Sequence, residues 1–317
     1  MNFSHRCFLA SKPGENLSDC EDSIFPEPES NESDAIHSFA VSDGTTTSFF
    51  SGLWSKILTA HFASDPKAVF DTEWSEWLKL AQQAWQIEVR TIASSTGVSM
   101  FTRNGVRERR PAAATFAAVL FEDPDTDNTI PWKAVVLGDS CLFLLRHDGH
   151  RSMQLTRSDQ FSNWVSAAES YATPLPHLPT FHFSRPRGDE ENLKEGDVAI
   201  LATDALSRWL LLRAELELPV WGTLLALKSQ SEFEKFVSDA RSQKTAPLEP
   251  DDVALVVFQT GPAHEYISRA VFESNGRNQE GVEATQPAAT ANPAANSSSP
   301  DSATAPIKPL PTTEPAT

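Results

Sequence analysis

Apolar residues along the first third of the chain arrive in two rhythms. Phe3 to Ala10 is dense in apolar residues and of strand length, and so is Ile36 to Ser42. Between them "SKPGENLSDCEDSIFPEPESNESD" is polar and acidic, with room for one short strand at Ser23 to Phe25. From Ser51 the rhythm changes: Leu53, Trp54, Ile57, Leu58 and His61 share one face at helical spacing, which predicts a helix. Trp74, Trp77, Leu78, Ala81 and Trp85 repeat that spacing in a second helix, with Asp71-Thr72 as its cap. The tryptophan stripe reads as core packing rather than a binding cage. Ser94 to Arg110 is polar and reads as a loop.

Three strands follow in close order: "AATFAAVLFE" at 113–122, "WKAVVLGD" at 132–139 and "CLFLLR" at 141–146. A turn over "DPDTDN" separates the first two, and a hairpin-like "HDGH" follows the third. The succession predicts an antiparallel meander, not a doubly wound parallel sheet. Gln160 to Tyr171 reads as a short helix under a Pro-rich loop. "DVAILATDALSRWLLL" at 197–212 runs strand, Asp, helix; helices over Trp221 to Lys228 and Ser231 to Ser242 precede a late strand in "DDVALVVF" at 251–258. Two helices after the early strands and two after the late ones predict an α+β fold, a four-layer α-β-β-α sandwich of two antiparallel sheets flanked by helices.

Composition adds boundaries. A chain of 317 residues with 40% hydrophobic content can bury a substantial core. From Asn275 onward there is no aromatic residue, and Val282, Ile307 and Leu310 are the large aliphatics, too few to offset the entropy of ordering. The expected division is a folded domain over 1–272 and a disordered Pro/Ala/Ser/Thr-rich tail over 273–317. The net charge is −17, of which the tail from Asn275 carries −2, leaving −15 on the folded part. That excludes a surface for nucleic acid or anionic membrane. Cys7, Cys20 and Cys141 are spaced like neither a disulfide framework nor a zinc site, and no apolar leader or span is evident, so a cytoplasmic, monomeric protein is expected.

The acidic residues then stand out by position. Asp22 precedes "SIF", Asp43 follows "FAV", Asp139 follows "VVLG", Asp204 follows "AILAT" and Asp251 precedes "VALVV". A carboxylate is costly to bury alone, so several meeting at one edge of a core need cations between them. Hard oxygen donors without a matching His/Cys cluster favour Mg²⁺ or Mn²⁺ over zinc.

In order and company these stretches resemble the metal-dependent protein Ser/Thr phosphatase family (type 2C), in particular its bacterial branch whose first motif reads Cys-Gln-Asp. The resemblance runs from about Ser4 to Phe258. It is carried by "SDCEDSIF" (18–25), "AVSDGTTTS" (40–48), "AAATFAAVLF" (112–121) with "VVLGDSCLFLLR" (135–146), "LKEGDVAILATDALSRWL" (193–210) and "DDVALVVF". It implies a type 2C-like phosphatase domain in which Asp43 bridges two divalent ions and Gly44 lends a carbonyl. Asp204 and Asp251 would complete one shell, and Glu21 and Asp22 would hold metal-bound water, Asp22 being the better match. Asp159 would serve a third ion, and Asp139 would shape its hairpin without holding metal. The implied reaction is phosphomonoester hydrolysis by water activated between two ions, with Asp43 and Asp22 as its acting carboxylates and no covalent nucleophile. Cys20 and Cys141 read as small buried residues.

The chain departs from the family where the phosphate is gripped. Leu17 stands where an Arg is usual, with Lys12 or Arg107 to Arg110 as substitutes; Ala205 and Thr45 to Thr47 replace glycines. A general-acid His is missing after Gly44, leaving His147 and His150 as candidates in sequence alone. Two readings therefore stand side by side. One is an active Mn²⁺- or Mg²⁺-dependent protein phosphatase acting on a phosphoprotein, with a cognate Ser/Thr kinase as a further partner. The other is a catalytically weak or inactive relative that binds a phosphorylated partner or kinase as a regulator.

Overall fold

Strand β12 (Val253–Thr260) is buried at every position, and so are β11 (Val198–Ala202), β7 (Cys141–Leu145) and β5 (Phe116–Phe121). Strands that are apolar on both faces must be covered on both faces, and the chain meets that demand by stacking layers. The computed structural model describes residues 3–28, 37–45, 48–70, 74–145, 152–155, 165–166, 182–184 and 192–261 apart from 217 and 219. All of these belong to one unit, Met1–Ser274. The tail, Asp159, His147 and His150, the Pro-rich loop over 173–181 and 185–188, and the expected cap Asp71-Thr72 lie outside the described residues.

One sheet runs β1 (Phe3–Ala10), β12, β11, β7 and β8 (Ser152–Leu155). The other runs β10 (His182–Ser184), β6 (Trp132–Leu137), β5, β3 (Ser38–Ser42) and β2 (Ser23–Phe25). All pairings are antiparallel, and β4 (Ala113–Ala114) with β9 (Val165–Ser166) forms a small third ladder. Alternate residues divide the core into three. Val253, Leu255 and Val257 of β12 and Val198 and Ile200 of β11 face outward, onto Leu206, Trp209, Trp221 and Phe233. These belong to α4 (Asp204–Glu215), α5 (Trp221–Ala226) and α6 (Gln230–Arg241). Ala254, Val256 and Phe258 face inward, against Phe39, Val41, Val119 and Phe121 of the second sheet. Phe258 stacks on Phe121 at 4.1 Å between ring centres and lies 5.3 Å from Phe39, so three rings tie the sheets together. The second sheet's outer face carries α1 (Ser51–Ser64) and α2 (Trp74–Ser94).

The expected α+β architecture of two antiparallel sheets between helical layers is therefore the one found. The tryptophans of α2 are core: Trp77, Ala81, Trp85 and Val89 are its buried stripe. In α1 the buried face is rotated from the expected one, to Ser51, Trp54, Ser55, Leu58, Thr59 and Phe62. Three expectations need correction. The segment expected as a polar loop holds a short helix, α3 (Met100–Arg107), capped by Ser99, whose hydroxyl accepts from the Thr102 amide. Val165–Ser166, inside the expected helix over 160–171, is a strand. The third correction concerns the meander. β5 and β6 pair, but β7 leaves that sheet and pairs with β11 in the other. The crossing occurs at Gly138-Asp139-Ser140, where Gly138 holds φ +86 with Thr115 packed against it.

Candidate metal centre

The register of both sheets brings the acidic strand ends to one edge. Ala10 pairs with Val253, and Ala202 with Leu255 and Cys141, so the end of β1 and the starts of β12, α4 and β7 are neighbours. In the second sheet Ser42 pairs with Ser23 and Phe116 with Leu137, so the end of β3, the start of β2 and the β6–β7 crossing also meet. The residues just beyond these pairs are Lys12, Glu21, Asp22, Asp43, Asp139, Asp204, Asp251 and Asp252.

Asp43, Asp139 and Asp204 each present a carboxylate oxygen within 4.8 Å of the others'. Asp43 is fixed through its backbone: its amide donates to the Thr115 hydroxyl at 3.1 Å, and the Thr115 amide donates to its carbonyl at 2.8 Å. Thr115 in turn shares a hydrogen bond with Ser140 at 2.7 Å, coupling the Asp43 turn to the crossing that carries Asp139. Asp204 opens α4, with the Ala205 amide donating to its carboxylate. Asp22 lies behind Asp43 and is almost fully buried. The Thr203 hydroxyl donates to it while accepting from the Ala254 amide, yet Asp22 Oδ2 has no partner. A buried carboxylate oxygen without a partner is an open acceptor.

The electrostatics agree. Burial, reinforced by Asp204, pushes the Asp43 carboxyl up to about 7. Burial and Asp139 push Asp204 up to about 6 against the lowering effect of Arg208. Burial and then Asp43 raise Asp22. These are acids short of positive charge, which is what hard divalent ions supply. The donor set, all oxygen with Asp22 Oδ2 left open, fits such ions.

The other expected ligands are placed differently. Asp251 is 44% exposed and sits 3.3 Å from the Lys12 ammonium rather than in the trio, although its charge is felt by Asp43 and Asp204. Glu21 also pairs with Lys12, at 3.0 Å, and accepts from Ser51 at 2.7 Å. Sequence reasoning missed Asp252, which is buried and accepts the backbone amides of Lys12 and Glu21, both at 2.8 Å, clamping the ends of β1 and β2 to β12. It also missed Arg208, whose Nη2 lies 2.7 Å from Asp204 and 3.5 Å from Asp139, and it read Asp139, a member of the trio, as shaping its hairpin, and Lys12 as a phosphate ligand where it partners Glu21 and Asp251. The spacing of Asp204 and Arg208, one helical turn apart, was the available signal.

At Gly44 the chain passes close to the backbone of Glu21, Ser51 and Gly52. A Cβ there would lie 2.7 Å from the Ser51 carbonyl carbon and 2.9 Å from the Glu21 oxygen and the Gly52 nitrogen, all backbone. Gly44→Ala is expected to cost about 1–3 kcal/mol in urea unfolding, since backbone cannot step aside as a side chain does. A loss no larger than a surface substitution would show that the turn relaxes freely.

No family model and no curated protein matches the chain. Among solved structures it is similar to the serine/threonine phosphatase PstP/Ppp of Mycobacterium tuberculosis, with 17% identity and a TM-score of 0.49 over 83% of this chain and 100% of that one. It is also similar to PppA, a regulatory component of T6SS in Pseudomonas aeruginosa (11%, 0.46, 82% and 98%) and to an S. agalactiae serine/threonine phosphatase (12%, 0.42, 81% and 99%). Chemical assignment rests on the carboxylates themselves.

Proposed function

We propose that the chain is a metal-dependent phosphomonoester hydrolase, a protein Ser/Thr phosphatase using Mn²⁺ or Mg²⁺. The observation that carries this reading is the convergence of Asp43, Asp139 and Asp204 from three separate chain segments, with the open Asp22 oxygen behind them. Asp43, Asp204 and Asp139 would hold two ions, with Asp22, the Gly44 carbonyl and Asp251 at the margin and Asp159 for a third. Bound there, such ions supply a water acidic enough to attack near neutral pH and offset the charge on the phosphoryl oxygens.

The chain's own part is to hold acids still. Thr203 orients Asp22, Thr115 and the Gly44 turn orient Asp43, and the first turn of α4 orients Asp204. Thiol chemistry is disfavoured: all three cysteines are buried, and burial pushes the Cys7 thiol up to about 12 and raises Cys20 also. The setting proposed is a monomer in the cytoplasm, with domain 1–272 acting on a phosphoprotein, a Ser/Thr kinase as further partner and 273–317 as a tether. No helix among the described residues is long and apolar enough to cross a membrane.

A second reading is favoured by one observation. Lys12 and Arg208 already neutralise part of the cluster, as tethered cations do in a fold that needs no ions. On that reading the chain is a non-catalytic binder of a phosphorylated partner. Hydrolysis of p-nitrophenyl phosphate that depends on added Mn²⁺ is expected. No turnover at saturating Mn²⁺ would reject the enzyme and leave the binder.

A further inference from the structure

If the site hydrolyses phosphomonoesters, something must grip the phosphate, and Leu17 occupies the place where the resembled family carries an arginine; it is a partly exposed apolar residue. The substitutes named from sequence fare unevenly. Arg110 pairs with Glu108 at 2.9 Å and lies over the Phe101 ring. Lys12 is largely enclosed, with Glu21, Asp251 and Asp252 all within 3.8 Å, and its own amide is clamped by Asp252. Arg6 and Arg241 donate to backbone carbonyls, and Arg213 to Gln243. Arg208 is different. It is half-exposed, its Nη2 faces Asp204 and Asp139, and its Nη1 holds Glu249 at 3.1 Å.

We propose that Arg208 is the phosphate-binding cation of this site, parked on Asp204 and Asp139 until a divalent ion takes its place there. The inference rests on the metal-site reading and adds the group that recognises the substrate. A guanidinium and a divalent ion are rivals for the same Asp204 and Asp139 oxygens, because neither tolerates the other's charge at that distance. Displaced, Arg208 remains tethered through Glu249 at the mouth of the cluster. Its planar fork of N–H donors then matches two oxygens of a phosphoryl group, a geometry lysine does not reproduce.

Calorimetry separates the two halves. Mn²⁺ is titrated into the metal-free protein, and inorganic phosphate into the Mn²⁺-saturated protein, for wild type, Arg208→Ala and Arg208→Lys. In Arg208→Ala, Mn²⁺ is expected to bind roughly tenfold more tightly, because the rival is gone, and phosphate roughly tenfold or more weakly. Arg208→Lys should recover part of the phosphate affinity. Mn²⁺ affinity that is unchanged or weaker in Arg208→Ala, or phosphate affinity that does not fall, would overturn the proposal. Both expected shifts in a protein that never turns over p-nitrophenyl phosphate would leave Arg208 in its role and reject the enzyme alone. Mn²⁺ bound by neither wild type nor variant would reject both. A single cooperative thermal unfolding transition in the metal-free variants, whatever its midpoint, establishes that the fold survives.

Discussion

Asp43→Asn is expected to abolish Mn²⁺-dependent hydrolysis, lowering kcat at least about a hundredfold, while making the metal-free protein more stable near pH 8. The two effects share one cause. Asp43 is half-buried, and at pH 8 its charge is held against burial and against the charges of Asp204, Asp139 and Asp251, with only a hydrogen bond to Asp22 in its favour. Asparagine keeps the shape and leaves the backbone bonds to Thr115 untouched, so what disappears is charge. Losing that charge relieves the empty cluster and removes a ligand that a cation needs. Thermal unfolding with and without Mn²⁺ checks the stability half, and p-nitrophenyl phosphate the catalytic half. A variant that Mn²⁺ stabilises as much as wild type, or that hydrolyses as fast, would mean Asp43 holds no ion.

The second large effect is the pH dependence of that stabilisation. Asp43 and Asp204 titrate near 7 and 6 in the folded chain against an ordinary value of 3.8, and Asp22 is raised as well. Between about pH 4 and pH 7 the folded state therefore keeps protons that the unfolded chain has released. Stability from these groups is greatest at the acid end of the window, declines as pH rises through it, and is lost above about 7. The deficit at pH 8 is on the order of a few kcal/mol. Divalent ions reverse the sign, because they bind the deprotonated acids and displace protons on binding. Mn²⁺ should thus raise the unfolding temperature by several degrees at pH 8 and scarcely at pH 5. His61 acts the other way, since burial lowers its value from 6.5 and stability is recovered as pH rises past that point. Comparison with Asp43→Asn isolates the cluster, because His61 is common to both proteins. An Mn²⁺ effect equal at pH 5 and pH 8 would remove the carboxylates as its source.

How much of this was legible in the sequence depends on the range over which each signal acts. β12, β11 with α4, and the stripe of α2 were readable because their patterns repeat within one element and reflect local burial. The aspartates at strand ends were readable for the same reason: Asp22, Asp43 and Asp204 each sit one residue from an apolar run. α3 was missed because it is short, has few apolar positions and is started by a single capping serine. The change of sheets between β6 and β7 was missed because two strands joined by a tight Gly-Asp-Ser turn look alike locally whether they pair or part. That error left Asp139 as a residue that only shapes its hairpin, whereas at a crossing between sheets its carboxylate meets those of Asp43 and Asp204.

The sequence by itself therefore determined the elements, the antiparallel class and the supply of hard oxygen donors at strand ends, all written in patterns spanning a few residues. The tertiary structure decided which of those donors meet. It put Asp139 beside Asp43 and Asp204, turned Asp251 toward Lys12, made Asp252 a clamp, and set Arg208 over the trio. Those choices follow from sheet register and from the packing of one sheet on the other, which join residues far apart in the chain and leave no trace in the spacing of neighbours.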